Sequence, residues 1–469
     1  MIPESIKKFR PRNTEIHAKN GHYYVYEVKA FYDKETGKSK RKSLGCIGQI
    51  YEGVGFVSNN KRNEDVTVAV KEYGATWLFY SLTQDVKSVL RSYFGFNGLK
   101  LYAAAILKLL PNFSFYDLSR HYSRSYISEL IPRLDFSYES VVNMLEDFGG
   151  KSWSGNMLFR ELAGDEWKKG TTVFCKTIFL KDRNAYKLGS KSFPCIAKNR
   201  ILYAYDRDTK SVVFYRTIPE GMSVADGFSD TEARLERKND VLVFERSNWS
   251  GKDIDEIAAV GGSFIIPVGE DRIPDSTMAW DGSFACESSK ILYKEMPDGE
   301  KTKLVVFYDE ETRLRHLVQY LNAHDIEVSG MAELDRKIPE DARTAHYGYS
   351  AFVVSSDLAP EDVFKDSLVR SRFKTLYQNM NVCPEIDMEK ESKVRICEGW
   401  SFLNYIAYVI YFRVLGAINR SGLAERYSMR NLISMGETVS KCRLNGVWHT
   451  TNLDDEKNEI FGKLGIPIN

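Results

Sequence analysis

The chain has 469 residues, 43% of them hydrophobic, with 65 Lys and Arg against 64 Asp and Glu. A chain of this size buries more than one core, and about two to four domains are expected; the net charge of +1 excludes a globally basic protein, so any nucleic-acid surface has to be local. No apolar run reaches the roughly 18 residues a membrane span needs and no signal-peptide core opens the chain, while seven cysteines without CxxC spacing predict free thiols in a reducing cytoplasm.

Residues 1–65 contain HYYVYEVKAFYDKETGKSKRKSLGCIGQI, two predicted strands around a turn at Asp33 to Gly37. Lys34, Lys38, Lys40, Arg41 and Lys42 form the strongest local basic cluster, with Arg10, Arg12, Lys61 and Arg62 in its flanks. Interleaved Tyr23, Tyr24, Tyr26, Phe31 and Tyr32 supply aromatic partners of the kind DNA-binding hairpins use for backbone or base contacts; a solvated hairpin with a charged turn is the alternative. Residues 66–168 are predicted to be helical: Trp77 to Leu82, Leu99 to Leu110, Tyr116 to His121 and Tyr138 to Phe148, separated by Gly95, Gly98, Pro111 and Pro132. A helix-turn-helix-like reader fits Phe113 to Leu130, with Arg120, His121, Arg124 and Arg133 as its basic residues, although a solvated helix face carries the same charges.

Residues 169–268 alternate strands with helices. Strands are predicted at Thr171 to Leu180, Ile201 to Tyr205 and Val212 to Thr217, with a helix at Asp230 to Lys238. Then VLVFERSNWSGKDIDEIAAVGGSFIIPV, Val241 to Val268, reads as strand, polar turn, helix, strand. Val241 to Phe244 is an apolar run suited to a strand buried on both faces. Ile254, Ile257 and Ala258 give helical spacing, and Gly261-Gly262 stops the helix. This βαβ unit predicts a parallel sheet, with Glu245 at the strand end where α/β enzymes place chemistry; a solvated strand-end ion pair of Glu245 with Arg246 is the alternative. Residues 269–345 hold a predicted hairpin, Lys290 to Lys294 and Lys303 to Tyr308, and a helix Glu311 to His324. A closing strand and helix follow in 346–420; the most apolar segment, Phe402 to Leu415, is interrupted by Asn404 and Arg413 and reads as a buried core helix. A helical tail is expected over 421–469.

The Val241 to Val268 block resembles the second-aspartate block of insertion-sequence transposases of the DDE class. The resemblance continues in GSK (Gly189 to Lys191), ILYAYDRDTKSVVFYR (Ile201 to Arg216), IPEGMSVAD (Ile218 to Asp226), HYGYSAFVVSSDLAPEDVF (His346 to Phe364), GWSFLNYIAYVIYFRVL (Gly399 to Leu415) and NGVWHTTNLDDEKNEIFGKLGI (Asn445 to Ile466), and so spans nearly all of the chain. It implies an α/β fold: an RNase H-like core (169–268 plus 346–420) with a mainly β insertion (269–345), an N-terminal β-hairpin, a helical DNA-binding region and a helical C-terminus. It also implies two-metal phosphoryl transfer with Mg²⁺ or Mn²⁺, ions held about 3.5 to 4 Å apart by three carboxylates. The implied partner is double-stranded DNA, the terminal inverted repeats of a mobile element, with a homodimer as the allowed assembly and a cytoplasmic, nucleoid-associated location.

Carried over by position, the first acid falls at Cys175, the second at Glu245 and the third at Arg370, while the tyrosine, arginine and lysine of the third motif fall at Val363, Asp366 and Tyr377. A thiol is a soft ligand poorly suited to Mg²⁺, and a guanidinium repels cations at every accessible pH. Only Glu245 remains able to ligate a hard ion. Asp182, Asp206, Asp208 and Asp366 are the alternative acids, set against their ordinary reading as turn and helix-start residues. Two functions stay open: a transposase working through shifted acids with Mg²⁺ or Mn²⁺, or a non-catalytic transposase-derived DNA-binding protein without a metal.

Overall fold

The computed structural model describes residues 2–33, 37–59, 69–150, 157–164, 171–181, 195–206, 211–218, 221–236, 240–244, 251–274, 279–286, 289–324, 326, 346–368, 390–444 and 446–468, with the backbone alone at 33, 171–181, 195–200, 253 and 390–393. Two compact units form: Met1–Val70 with Cys442–His449, and Lys71–Lys441 with Thr450–Asn469.

The first unit is built on an antiparallel sheet of β1 (Thr14–Lys19), β2 (His22–Asp33), β3 (Lys38–Tyr51) and β4 (Gly55–Ser58), in that order. The predicted pair β2–β3 is present; β1 and β4 extend it on either side. Asn20 and Gly21 have φ of 51° and 78°, the two successive positive values that a two-residue hairpin turn matching strand twist demands. That Asn-Gly dipeptide was the sequence signal for β1. Ile6, Val25 and Ile50 form the core, flanked by Phe9, Ile16 and Phe56. β1 pairs with β2 only as far as Glu27, and β4 with β3 only from Gly48. From Val28↔Ser43 to Asp33↔Lys38, therefore, β2 and β3 continue as a two-stranded ribbon, with register shifts at Val25/Tyr26 and Glu27/Val28 near its root.

The second unit begins in β5 (Ala69–Glu72) and a helical region: α1 (Gly74–Leu82), α2 (Gln84–Leu109), α3 (Leu118–Arg124), α4 (Ile127–Leu130), α5 (Tyr138–Gly149) and α6 (Met157–Ala163). Gly95, at φ 59° and ψ −126°, breaks α2. A Cβ on Gly98 would stand 2.0 Å from the Leu90 carbonyl oxygen, so the two halves fold back in backbone contact that only glycine permits.

Among the described residues, the large sheet of this unit has nine strands, in the order β11-β12-β13-β14-β10-β9-β6-β7-β8. β6 (Thr171–Lys181), β7 (Cys195–Asp206) and β8 (Ser211–Ile218) are antiparallel neighbours, while β9 (Val241–Phe244) runs parallel to β6 and β10 (Ser263–Pro267) parallel to β9. All four residues of β9 are buried, as a central parallel strand requires. α7 (Val224–Leu235) and α8 (Gly251–Ala259) make the crossovers into β9 and β10. α7 starts six residues before the predicted helix: Ser223 Oγ accepts from Asp226 N at 3.0 Å, and this cap, inside the Ile218 to Asp226 run, outweighed the glycine at 227.

β11 (Gly282–Cys286), β12 (Ser289–Pro297) and β13 (Thr302–Asp309) precede α9 (Glu310–Ala323), and β14 (Tyr349–Ser355) follows it. The hairpin and helix predicted within residues 269–345 are thus in place. The strands do not stand apart from the core: β14 pairs with β10 on one side and β13 on the other, so β11–β13 lengthen the same sheet.

α10 (360–368) lays Phe364 on Phe284 and Phe307, at 5.7 and 5.1 Å between ring centroids. α11 (Lys390–Arg420) crosses one face of the sheet. Tyr405 donates to Val213 O at 3.2 Å, Tyr408 meets Tyr203 edge-on and Phe412 meets Tyr205 edge-on. Tyr203 and Tyr205 alternate with Leu202, whose side chain lies at Gly227 of α7, so α7 and α11 cover opposite faces. Within α11, Val394–Arg420 is long and apolar enough to cross a membrane, and 72% of its apolar window is buried in the fold, as expected of a core helix. α12 (Met429–Glu437), the hairpin strands β15 (Ser440–Leu444) and β16 (Val447–Thr451), and α13 (Asp455–Lys463) end the chain, so the tail expected to be helical also contains a hairpin.

Candidate functional site

The parallel pair β6–β9 sets Cys175 beside Phe244, the residue before Glu245. Neighbouring strands lie about 4.8 Å apart. Glu245 itself lies outside the described residues, as do Arg370, Tyr377, Asp182, Asp208, Lys34, Lys61 and Arg62. The carboxyl ends of parallel strands are where open α/β sheets leave room for ligands; β9 and β10 end at this level, while β6 runs on past Cys175 to Lys181.

Two alternative acids can be placed. Asp206 pairs with Thr171, four residues before Cys175, and so sits at the opposite end of β6, roughly 13 Å away along the strand. It is fully buried there. Asp366 is buried in α10, two residues beyond Phe364, whose contacts fix this part of the helix over β11 and β13. Val363 is buried in the same helix. Among the described residues, no group of three or more His, Cys, Asp and Glu is arranged to hold a metal ion.

At the same end of the sheet, on β13, β14 and the residues just before β11, stands an aromatic array absent from the sequence expectations. Tyr308 and Tyr349 are cross-strand partners with ring centroids 4.9 Å apart, and Trp280 lies 6.0 and 6.1 Å from them. All three are half-buried. Burial first, then the hydrogen bond to Glu310, pushes the Tyr308 hydroxyl up, so it stays protonated near neutral pH. The array is assembled from three separate segments, and no local spacing announces it.

The basic candidates divide into two places. Lys38, Lys40, Arg41 and Lys42 lie along β3 in the ribbon of the first unit, all exposed. Arg120 and Arg124 are exposed on α3 in the second unit, one helical turn apart. His121 between them stacks on Phe113 at 6.2 Å; burial lowers its pKa, Asp117 opposes this and the two arginines add to the lowering. α3 has seven residues and α4 only four. A single turn is too short to lie along a groove as a reading helix, which corrects the expectation of a helix-turn-helix reader in Phe113 to Leu130.

One perturbed carboxylate was not singled out from sequence. Glu72 accepts from Ala75 N at 2.8 Å, Thr76 N at 3.2 Å and Thr76 Oγ1 at 2.5 Å, capping α1. Burial pushes its pKa up to about 7 against the lowering of those hydrogen bonds, with Glu437 adding to the rise.

No family model matches the sequence, and no curated protein matches it. Among solved structures, the piggyBac transposase synaptic complex with hairpin DNA, determined by cryo-electron microscopy, aligns over 78% of this chain and 78% of that chain, at 10% identity and a TM-score of 0.33.

Proposed function

We propose that this chain is a DNA-binding protein on a transposase-type, RNase H-like core whose two-metal centre has been substituted. The observation that carries the reading is the strand order β8-β7-β6-β9-β10, antiparallel through β6 and then parallel to it, with helices leading into β9 and β10. That is the order expected of such a core, and it sets position 175 level with the end of β9, where the core carries its first two acids.

The donor set does not fit Mg²⁺ or Mn²⁺. A thiol, a carboxylate and a guanidinium at positions 175, 245 and 370 offer one hard anionic ligand and one fixed positive charge. Asp206, at the far end of its strand, cannot stand in without moving the sheet register. In this reading Arg370 pairs with Glu245, since an opposite charge relieves an otherwise uncompensated carboxylate. The partner is duplex DNA, the terminal repeats of a mobile element being the class of site, and binding is metal-independent and weakened by salt.

The test scores binding and nicking together on supercoiled DNA carrying the sequences that flank the gene, with Mg²⁺, Mn²⁺ or EDTA, and with Glu245→Gln alongside. Salt-sensitive binding in EDTA without nicking in either metal is the expected result. Metal-dependent nicking that disappears in Glu245→Gln overturns the substituted-centre reading, and absence of binding overturns the DNA-binding one.

A further inference from the structure

The positive charge of this chain is concentrated in one stretch. Residues 1–70 hold 13 Lys and Arg against 8 Asp and Glu, while the other 399 residues hold 52 against 56. Within 28–43, six basic residues face two acids. This is the segment in which β2 and β3 leave their sheet and continue as a two-stranded ribbon.

The register sorts the ribbon's charges by face. Cross-strand partners share a face of an antiparallel pair, and the partners here are Lys29↔Lys42, Ala30↔Arg41, Phe31↔Lys40 and Tyr32↔Ser39. Since alternate residues also share a face, Lys29, Phe31, Asp33, Lys38, Lys40 and Lys42 lie together, four lysines to one acid. Arg41 and Tyr32 lie on the other side. Lys29 and Lys42 stand directly opposite one another, an arrangement that costs stability in an isolated pair of strands. The ribbon has no buried face to offset that cost: Lys29 to Tyr32 and Lys38 to Leu44 are all exposed, Phe31 at 47% and Tyr32 at 67%. A two-stranded hairpin is marginal by itself, so this one has the composition of a surface that meets a polyanion.

We infer that the ribbon Val28–Asp33/Lys38–Ser43 is a duplex-DNA arm that binds by entering the major groove, with the lysine face carrying the phosphate contacts. Its dimensions suit that mode. Six residue pairs extend about 20 Å, and a two-stranded ribbon fits a major groove about 12 Å wide. Lys38, Lys40 and Lys42 are spaced at roughly 6.8 Å along β3, close enough to meet phosphates that recur on each DNA strand about every 3.4 Å of helix axis. Phe31, exposed among the lysines, adds a ring that packs on sugar or base. The inference rests on the DNA-binding reading and names the element and the face that perform it.

The test is fluorescence anisotropy of the full chain on an end-labelled, mixed-sequence 30-base-pair duplex across a salt series in EDTA. The variants are Lys29→Gln, Lys38→Gln, Lys40→Gln and Lys42→Gln combined; the same four positions changed to Arg; and Lys252→Gln, Lys365→Gln and Lys463→Gln combined, three exposed lysines on helices elsewhere. Loss of four phosphate contacts reduces the slope of log affinity against log salt by about 4 and weakens binding at least about tenfold at 0.1 M salt. The Arg variant retains slope and affinity, and the distant triple variant changes neither appreciably. Unchanged far-UV circular dichroism confirms that the ribbon variant is folded. If the intact chain binds and the Gln quadruple binds with the same slope, the arm is not the contact, and the DNA-binding reading survives through another surface. If the Gln quadruple alters the sedimenting mass and leaves DNA affinity intact, the arm joins two copies of the chain and the inference fails. If the intact chain does not bind the duplex, both fall.

Discussion

Glu72 shows how one side chain is held between opposing effects. Its carboxylate caps α1 through Ala75 and Thr76, which favours the charged form, and burial outweighs them, raising the pKa to about 7. A carboxyl whose folded pKa exceeds its unfolded one binds the proton more tightly when folded. Stability from this group is therefore full below the unfolded value near 4.5 and is lost as pH rises through about 7. The difference between the limits is about 3 kcal/mol. Glu72→Gln keeps an acceptor for the two amides and removes the titration, so urea unfolding should show the variant more stable than the parent at pH 8 and little different at pH 4. An equal offset at both pH values would remove the titration argument. The proposed substituted centre makes a second prediction at this scale: Cys175→Asp with Arg370→Glu is expected to confer metal-dependent nicking, scored against the parent chain and each single change. Failure of the double variant would mean that more than those two side chains separates this cleft from a working one.

Elements in this fold meet at contacts that side-chain periodicity does not report. α5 and α11 cross backbone to backbone, since a Cβ on Gly149 would fall 1.7 Å from Arg395 O and one on Gly399 would fall 1.9 Å from Leu145 O. Neither neighbour is a flexible side-chain end, so Gly399→Ala has to part the two helices. A loss of about 3 kcal/mol or more is expected, seen as a lower urea midpoint with an unchanged m-value. Gly462→Ala in α13 is the contrast: nothing lies within 4 Å of its added methyl, and the change should be neutral or stabilising by up to about 1 kcal/mol. Two helix starts were coded by local caps that the sequence expectation passed over. Ser223 of α7 and Asp454 of α13 both accept from the amide three residues on. The break in α2 was only half legible: Gly95 and Gly98 marked an interruption, while its fold-back geometry depends on the close approach to Leu90.

At the scale of the whole molecule, the nine-stranded sheet unites what the chain separates. β10 ends at Pro267 and β14 begins at Tyr349; they pair across that interval, and the strands between them lengthen the sheet on one side. This is how Trp280, Tyr308 and Tyr349 come to the same end of the sheet as Cys175. The same topology sends Asp206 to the other end. A search for replacement acids by distance in sequence retains Asp206, whereas strand direction removes it, because an antiparallel neighbour carries its last residue to the first residue of its partner.

Local pattern in the sequence determined which segments are strands and which are helices: the apolar run of β9, the helical spacing of α8, the glycines after it, and the basic, aromatic pair β2–β3 all depend on residues within a few positions of one another. Composition placed the positive charge in the first 70 residues. The tertiary structure alone decided the order of the strands, the merging of β11–β13 into the core sheet, the level of Cys175 with Phe244, and the face on which each ribbon lysine lies. Register is a non-local quantity, and a shift of one residue sends every side chain to the other face. It is settled by pairing and burial across the whole sheet, which no stretch of sequence read by itself contains.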